Sequence, residues 1–171
     1  INMAVKAVNR LDGWIDKTYR RIQQHGNLNN NNLSSMIAQY LYCRSFFLKD
    51  RPVAKQHLEA INYFLGQAVK KEKDGTQYFL RLSRMNQAQV AIAMNRFGRV
   101  EKKADYNQLA KLIIKSIKER SVTNEEMGLF WRDLEYSHWG YRAPIETQAM
   151  MIEAFHEVTQ DFDALEEAKV W

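Results

Sequence analysis

The sequence predicts an all-helical protein, part of an α/α toroid built from antiparallel helical hairpins. Three observations lead there. Apolar residues recur at spacings of three and four along successive stretches, the period of a helix with one buried face. The 171 residues include only seven Gly and two Pro, too few to punctuate many short strands. No Val- or Thr-rich alternating run occurs.

The elements follow in order. The first predicted helix covers 2–24, with Ala4, Val8, Leu11, Ile15, Tyr19 and Ile22 as its buried stripe; Gly13 weakens it, and His25-Gly26 ends it as a left-handed cap. Asn-rich residues 27–32 form a turn. The second helix, 33–48, has a broad apolar surface of Met36, Ile37, Tyr40, Leu41, Phe47 and Leu48. The third, 52–71, starts with Pro52 in its first turn and carries Ala54, Leu58, Ile61, Leu65 and Ala68 in phase. Its last cations, at 70–73, suit a helix C-terminus.

The fourth helix, 76–96, is small and apolar nearly all round at 88–94, which fits packing on several sides; Gly98 is expected to terminate it. The fifth, 102–120, is amphipathic through Tyr106, Leu109, Leu112, Ile113 and Ile117. Thr123 with Glu126 fits a capping box that opens a short turn. A further helix starts at Pro144 and runs to about 159, with Ile145, Ala149, Ile152 and Phe155 on one side. Asp161 caps a last helix holding Leu165, Ala168 and Trp171. Short turns make neighbouring helices antiparallel. More buried helices (second, fourth and the one from Pro144) alternating with amphipathic ones suggest the two layers of a toroid.

The bulk properties set limits. No run of 18 apolar residues occurs, so this segment is not expected to insert into a membrane. No signal peptide is visible, and the chain reads from Ile1 to Trp171 as one helical domain, or a fragment of one, excised from a larger protein. Residues 1–120 hold 22 Lys and Arg against 9 Asp and Glu, whereas 121–171 hold 3 against 11. The cations are spread over several helices without a nucleic-acid-binding signature, so no nucleic-acid partner is expected.

The single cysteine, Cys43, excludes an intrachain disulfide and a multi-cysteine metal site. On an apolar helix it reads as a buried structural thiol. His25, His57, His138 and His156 form no HExxH pattern, and His57 and His156 read as surface helix residues. No phosphate loop or nucleophile elbow is present. No metal or cofactor is expected.

Residues 127–148 are the longest stretch without helical period, and they hold two of the four Trp. Asp133, Glu135, His138, Arg142 and Glu146 lie among Trp131, Tyr136, Trp139 and Tyr141. Carboxylates beside aromatic platforms occur in glycoside-cleaving sites. The competing and preferred reading is that the rings wedge between hairpins, with Glu146 stabilising a helix N-terminus.

This stretch also carries a resemblance. Glu125-Glu-Met-Gly-Leu-Phe-Trp131, Trp139-Gly-Tyr-Arg-Ala-Pro-Ile-Glu-Thr-Gln-Ala-Met-Met-Ile-Glu-Ala-Phe155, Glu157-Val158 and Lys169-Val-Trp171 resemble the bacterial alpha-2-macroglobulin family, in particular its large Bacteroidetes-type members. Weaker matches lie at 32–34, 39–47 and 115–120. The resemblance implies the later part of the family's thioester-type helical domain, an α/α toroid. It implies a large parent in the periplasm or cell envelope that traps or inhibits proteases, with proteases and the parent's other domains as partners.

The family's thioester needs a Cys-x-Glu-Gln motif, and this segment has none: Cys43 is followed by Arg-Ser-Phe. No catalytic residue carries over, so the segment is expected to be scaffold and interface rather than enzyme. Trp131, Trp139, Tyr141, Pro144, Ile145, Glu146, Thr147 and Gln148 transfer as a structural signature. Asp133, His138, Trp139, Arg142 and Glu146 are the candidate surface if the loop has a function. Two alternatives stay open: an α/α-toroid carbohydrate-active enzyme using Asp133 and Glu146, and a helical protein-binding module.

Overall fold

The computed structural model describes residues 2–132 and 144–170, with the side chains of Asn2 and Pro144 excepted. The described residues are mostly helical: seven α-helices and one small hairpin. The chain divides into two compact units, Ile1–Leu82 and Ser83–Trp171.

The first unit contains α1 (Asn2–Gln24), α2 (Ser35–Ser45), α3 (Lys55–Gln67) and a 3-10 turn (Tyr78–Arg81). Helix α1 packs on α3 and, less extensively, on α2. The core is Ile15, Tyr19, Ile37, Leu41, Leu48, Ile61, Phe64, Leu65 and Phe79. Gly26 follows α1 at φ +69°, the left-handed turn its position predicts. Ser34 caps α2 by accepting from the Ile37 N–H. The Asn-rich turn is held by Asn32, whose amide donates to the Asn27 and Asn30 carbonyls and to the Tyr63 hydroxyl.

Several expectations change here. The buried line of α1 is Ile15 and Tyr19 with Asp12; Leu11 is 46 % exposed and Ala4 is exposed, so the stripe is rotated toward Asp12. Helix α3 is shorter than predicted: Ala54 is its N-cap, leaving Pro52 outside the helix, and it ends at Gln67, before the cations of 70–73. Met36 and Phe47 are exposed rather than core. Cys43 is exposed too, because α2 buries Tyr40, Leu41 and Arg44 instead.

The second unit contains α4 (Arg84–Val100), α5 (Ala104–Lys118), β1 (Val122–Asn124), β2 (Gly128–Phe130), α6 (Pro144–Ala154), a π-helical turn (Phe155–Thr159) and α7 (Phe162–Val170). Helix α4 is the centre, packed against α5, α6 and the π turn. Ala88, Val90, Ala91, Ile92, Ala93 and Met94 are fully buried, so the small-residue stretch is enclosed as predicted. Helix α4 is the most enclosed, while α2 exposes Met36 and α6 exposes Ile145. By burial, α2 (six of 11 residues) and α4 (13 of 17) exceed α3 (five of 13) and α5 (four of 15), in line with the predicted alternation of more buried and more amphipathic helices.

Gly98 does not end α4; it lies inside it, where a Cβ would stand 2.9 Å from Asn107 Oδ1 and from the Tyr106 Cβ. Its function is close approach of α4 to α5. The 3-10 turn and the Ser83 cap replace the predicted first turns of the fourth helix. Leu112 of α5 is 59 % exposed, with Ile113, Ile114 and Ile117 facing inward.

The predicted capping box is instead an antiparallel hairpin, pairing Val122 with Phe130 and Thr123 with Leu129. Asn124 Oδ1 accepts from the Glu126 and Met127 N–H groups, and Gly128 supplies φ +64°. A three-residue strand is too short to show as an alternating run. Helix α6 does start at Pro144, but its buried side is Thr147, Gln148, Met151 and Ala154 rather than Ile145 and Ala149. Asp161 caps α7 as expected, accepting from the Ala164 N–H at 3.1 Å.

Candidate functional site

Of the described signature residues, Trp131, Thr147 and Gln148 are buried in the second unit. The Trp131 indole N–H donates to the Ile117 carbonyl at 2.9 Å, and its ring stacks on Phe155. The Gln148 amide donates to the Leu129 carbonyl at 2.6 Å and the Ala168 carbonyl at 2.9 Å. One buried side chain on α6 thus ties β2 to α7. Thr147 is buried beside it, whereas Ile145 and Glu146 are exposed. Glu146 falls in the first turn of α6, where a carboxylate favours the helix N-terminus. Asp133, His138, Trp139, Tyr141 and Arg142 lie outside the described residues.

Ion pairs complete this unit's framework. The Arg96 guanidinium on α4 donates to Glu157 and to Glu153 at distances between 2.6 and 3.1 Å. Lys118 Nζ donates to Asp161 Oδ2 at 2.5 Å, and that bond holds the Asp161 carboxyl below its usual range. Among the described residues no cluster of three His, Cys, Asp or Glu side chains is placed to hold a metal ion.

The first unit contains a polar site that the sequence reading missed. Asp12 on α1 and Arg44 on α2 are 5 % and 3 % exposed. Arg44 Nε donates to Asp12 Oδ1 at 2.9 Å and Oδ2 at 3.2 Å. The Tyr40 hydroxyl donates to Asp12 Oδ1 at 2.7 Å, and Arg44 Nη2 donates to the Arg51 carbonyl at 2.7 Å. Burial first, and the bond to Asp12 second, push the Tyr40 hydroxyl far above its ordinary pKa. At neutral pH it is a fixed donor and not an acid–base group.

Beside this cluster is a cavity of about 550 Å³, lined among others by Asn9, Asp12, Arg44, Asp50, Arg51 and His57. Arg44 Nη1 is buried and has no hydrogen-bond partner. His57 is half-buried rather than a surface residue, and its Nδ1 lies 4.0 Å from Asp16 Oδ1, too far for a hydrogen bond. One signal was legible: Asp12 falls on the apolar phase of the first helix and Arg44 lies amid apolar residues of the second. Opposite charges on two apolar faces imply a pair, because an isolated buried charge costs too much.

On α1 and α2, Leu11, Trp14, Met36, Gln39, Tyr40 and Cys43 line a shallow apolar groove of about 370 Å³. Cys43 therefore belongs to an exposed apolar surface.

Comparison with protein-family models, curated proteins and solved structures returns no match to this chain.

Proposed function

We propose that this chain is a scaffold and interface segment of an alpha-2-macroglobulin-like envelope protein whose parent traps or inhibits proteases. In this reading it is the later part of a thioester-type α/α toroid and has no catalytic role. The observation that carries the reading is the use made of the signature residues. Gln148 joins β2 and α7, and Trp131 bonds α5 and stacks on Phe155. Such residues set packing, as a structural signature would require. The exposed Leu11, Met36 and Phe46 add support, since a segment within a larger assembly has apolar surface to cover. No observation favours the carbohydrate-active alternative, because Glu146 is an exposed first-turn residue and Asp133 lies outside the described residues.

The test uses the longer protein that contains this segment. After incubation with a protease, digestion of a protein substrate should fall while cleavage of a small peptide substrate persists, the signature of physical enclosure. The isolated chain should cleave neither. Glycan hydrolysis by the isolated chain that disappears in Glu146→Gln would overturn the reading.

A further inference from the structure

We infer that the apolar groove on α1 and α2 is the docking site of an acidic amphipathic helix from another polypeptide. The inference starts from a second apolar row on α1. This helix packs into its own unit through Ile15, Tyr19 and the paired Asp12. Apart from that line, Ala4, Ala7, Leu11, Trp14 and Thr18 follow one another at alternating spacings of three and four. Ala4, Ala7 and Leu11 are exposed, and Trp14 and Thr18 are half-buried. On the other wall of the groove, Met36, Tyr40 and Cys43 of α2 repeat the spacing, with Met36 and Cys43 exposed. Trp14 and Tyr40 meet edge to face, 6.0 Å between ring centroids. Such spacing averages about 3.5 residues, the period at which one helix receives the side chains of another between its own. Two such rows, one on each wall, fit a third helix better than a flat lipid surface or a small molecule.

Charge selects which helix. Lys6, Arg10, Lys17 and Arg21 are exposed, and at about 100° per residue they fall within an arc of about 60°, on the side of the row away from Ile15 and Tyr19. Among the described residues none of the four has an ion-pair partner. The two carboxylates of α1 are engaged, Asp12 with Arg44 and Asp16 with Arg20, and α2 has none. Arg10 and Lys17 each stand one residue before a member of the row, Leu11 and Thr18. Those are flanking positions, through which paired helices form salt bridges. An occupant with Asp or Glu beside its apolar row answers these cations, and one flanked by Lys is repelled. A second copy docking by the same face would set two cation stripes against each other with no carboxylate free to answer them. The inference rests on the interface part of the proposed function and gives it a place and a partner class.

The test is NMR titration of the whole chain with two synthetic peptides of three heptads each. Both have Leu at the apolar positions; one is flanked by Glu and the other by Lys. The Glu-flanked peptide should shift the amides of α1 and α2 in a saturable way and bind at least about tenfold tighter than the Lys-flanked one. The double variant Leu11→Gln, Met36→Gln changes exposed positions, so its circular dichroism should be unaltered; it should weaken the Glu-flanked peptide about tenfold. Arg10→Glu with Lys17→Glu should reverse the preference between the peptides. No saturable shift with the Glu-flanked peptide overturns the inference, as does equal affinity for the two peptides, or an affinity unchanged in either double variant. Vesicles of phosphatidylglycerol that shift these amides when the peptide does not would assign the face to a membrane and overturn it. So would concentration-dependent shifts of the same amides in the chain alone, which would assign the face to a second copy. Protease enclosure by the longer protein is read in a separate assay, so failure of peptide docking and failure of trapping are distinguishable.

Discussion

Arg44 on α2 donates from Nε to both carboxylate oxygens of Asp12 on α1, at 2.9 and 3.2 Å, in a place where each residue is almost wholly shielded from water. The pair links two helices that share few other contacts. Arg44→Met alone leaves a buried carboxylate without its counter-ion and should lower stability by about 3–5 kcal/mol. The triple variant Asp12→Leu, Tyr40→Phe, Arg44→Met removes all three bonded side chains, leaving only the Arg51 carbonyl without its donor, and should recover most of that loss. Urea unfolding of the three proteins, followed by circular dichroism, measures both values.

Gln148 satisfies two carbonyls, on β2 and α7, from one buried amide. Gln148→Leu keeps the volume and strands both acceptors. A loss of about 2–4 kcal/mol is expected. Near-ultraviolet circular dichroism should also change, since Trp131 sits two residues beyond Leu129 in the same packing. Thermal unfolding with a tryptophan readout checks this.

Glycines inside two helices should respond with opposite sign. At Gly98 a Cβ would meet Asn107 and Tyr106 at 2.9 Å and the Lys103 carbonyl at 3.0 Å. Gly98→Ala should therefore destabilise by about 1–3 kcal/mol despite alanine's better helix propensity. At Gly13 in α1 nothing lies within 4 Å of the added Cβ, and Gly13→Ala should stabilise by about 0.5–1 kcal/mol. Denaturant midpoints at constant slope separate the two.

Tyr40 gives a pH signature. Its folded pKa is raised by burial and by its bond to Asp12. An unfolded tyrosine ionises near about pH 10. Below that pH both states are protonated and the stabilisation is fully present. Above it the unfolded chain releases a proton that the folded chain keeps, so stability falls by up to about 1.4 kcal/mol per pH unit. Comparing wild type with Tyr40→Phe between pH 8 and 11 isolates this component from lysine titration. Parallel curves for the two proteins would contradict the assignment.

Asp161 acts at the opposite end of the scale. Its carboxyl is held below the usual range first by Lys118 and also by the Ala164 N–H it caps. Its stabilisation is present above the unfolded pKa of about 4 and is lost as pH falls through the lower folded value. Asp161→Asn should shrink the acid-side fall in stability while lowering stability at pH 7. Both partners are partly solvated, so the change should stay within about 1 kcal/mol. Thermal midpoints at pH 2–7 report it.

Local chemistry was legible in the residues alone. The ends of α1, the Pro144 start of α6 and the Asp161 cap all rest on interactions within a few residues of one another. So did the mostly helical character, since helix periodicity is a short-range pattern. Trp131 and Gln148 could be singled out in the sequence, although which carbonyls their side chains would reach could not.

Tertiary structure decided the rest. Whether Leu11 or Asp12 faces inward depends on whether Arg44 and Tyr40 arrive on another helix to satisfy the carboxylate. Burial of Gly98 depends on α5, and exposure of Cys43 depends on which side of α2 meets its neighbours. The hairpin at Val122–Phe130 closes through backbone pairing and an Asn124 side chain, which leave no periodic trace. The sequence by itself therefore determined the helices and a few of their ends, namely those of α1 and the starts of α6 and α7, because hydrogen bonding and capping are local. Only the fold decided which faces are buried and that Asp12 and Arg44 form a buried pair, because those depend on groups more than 30 residues apart being brought within 3 Å.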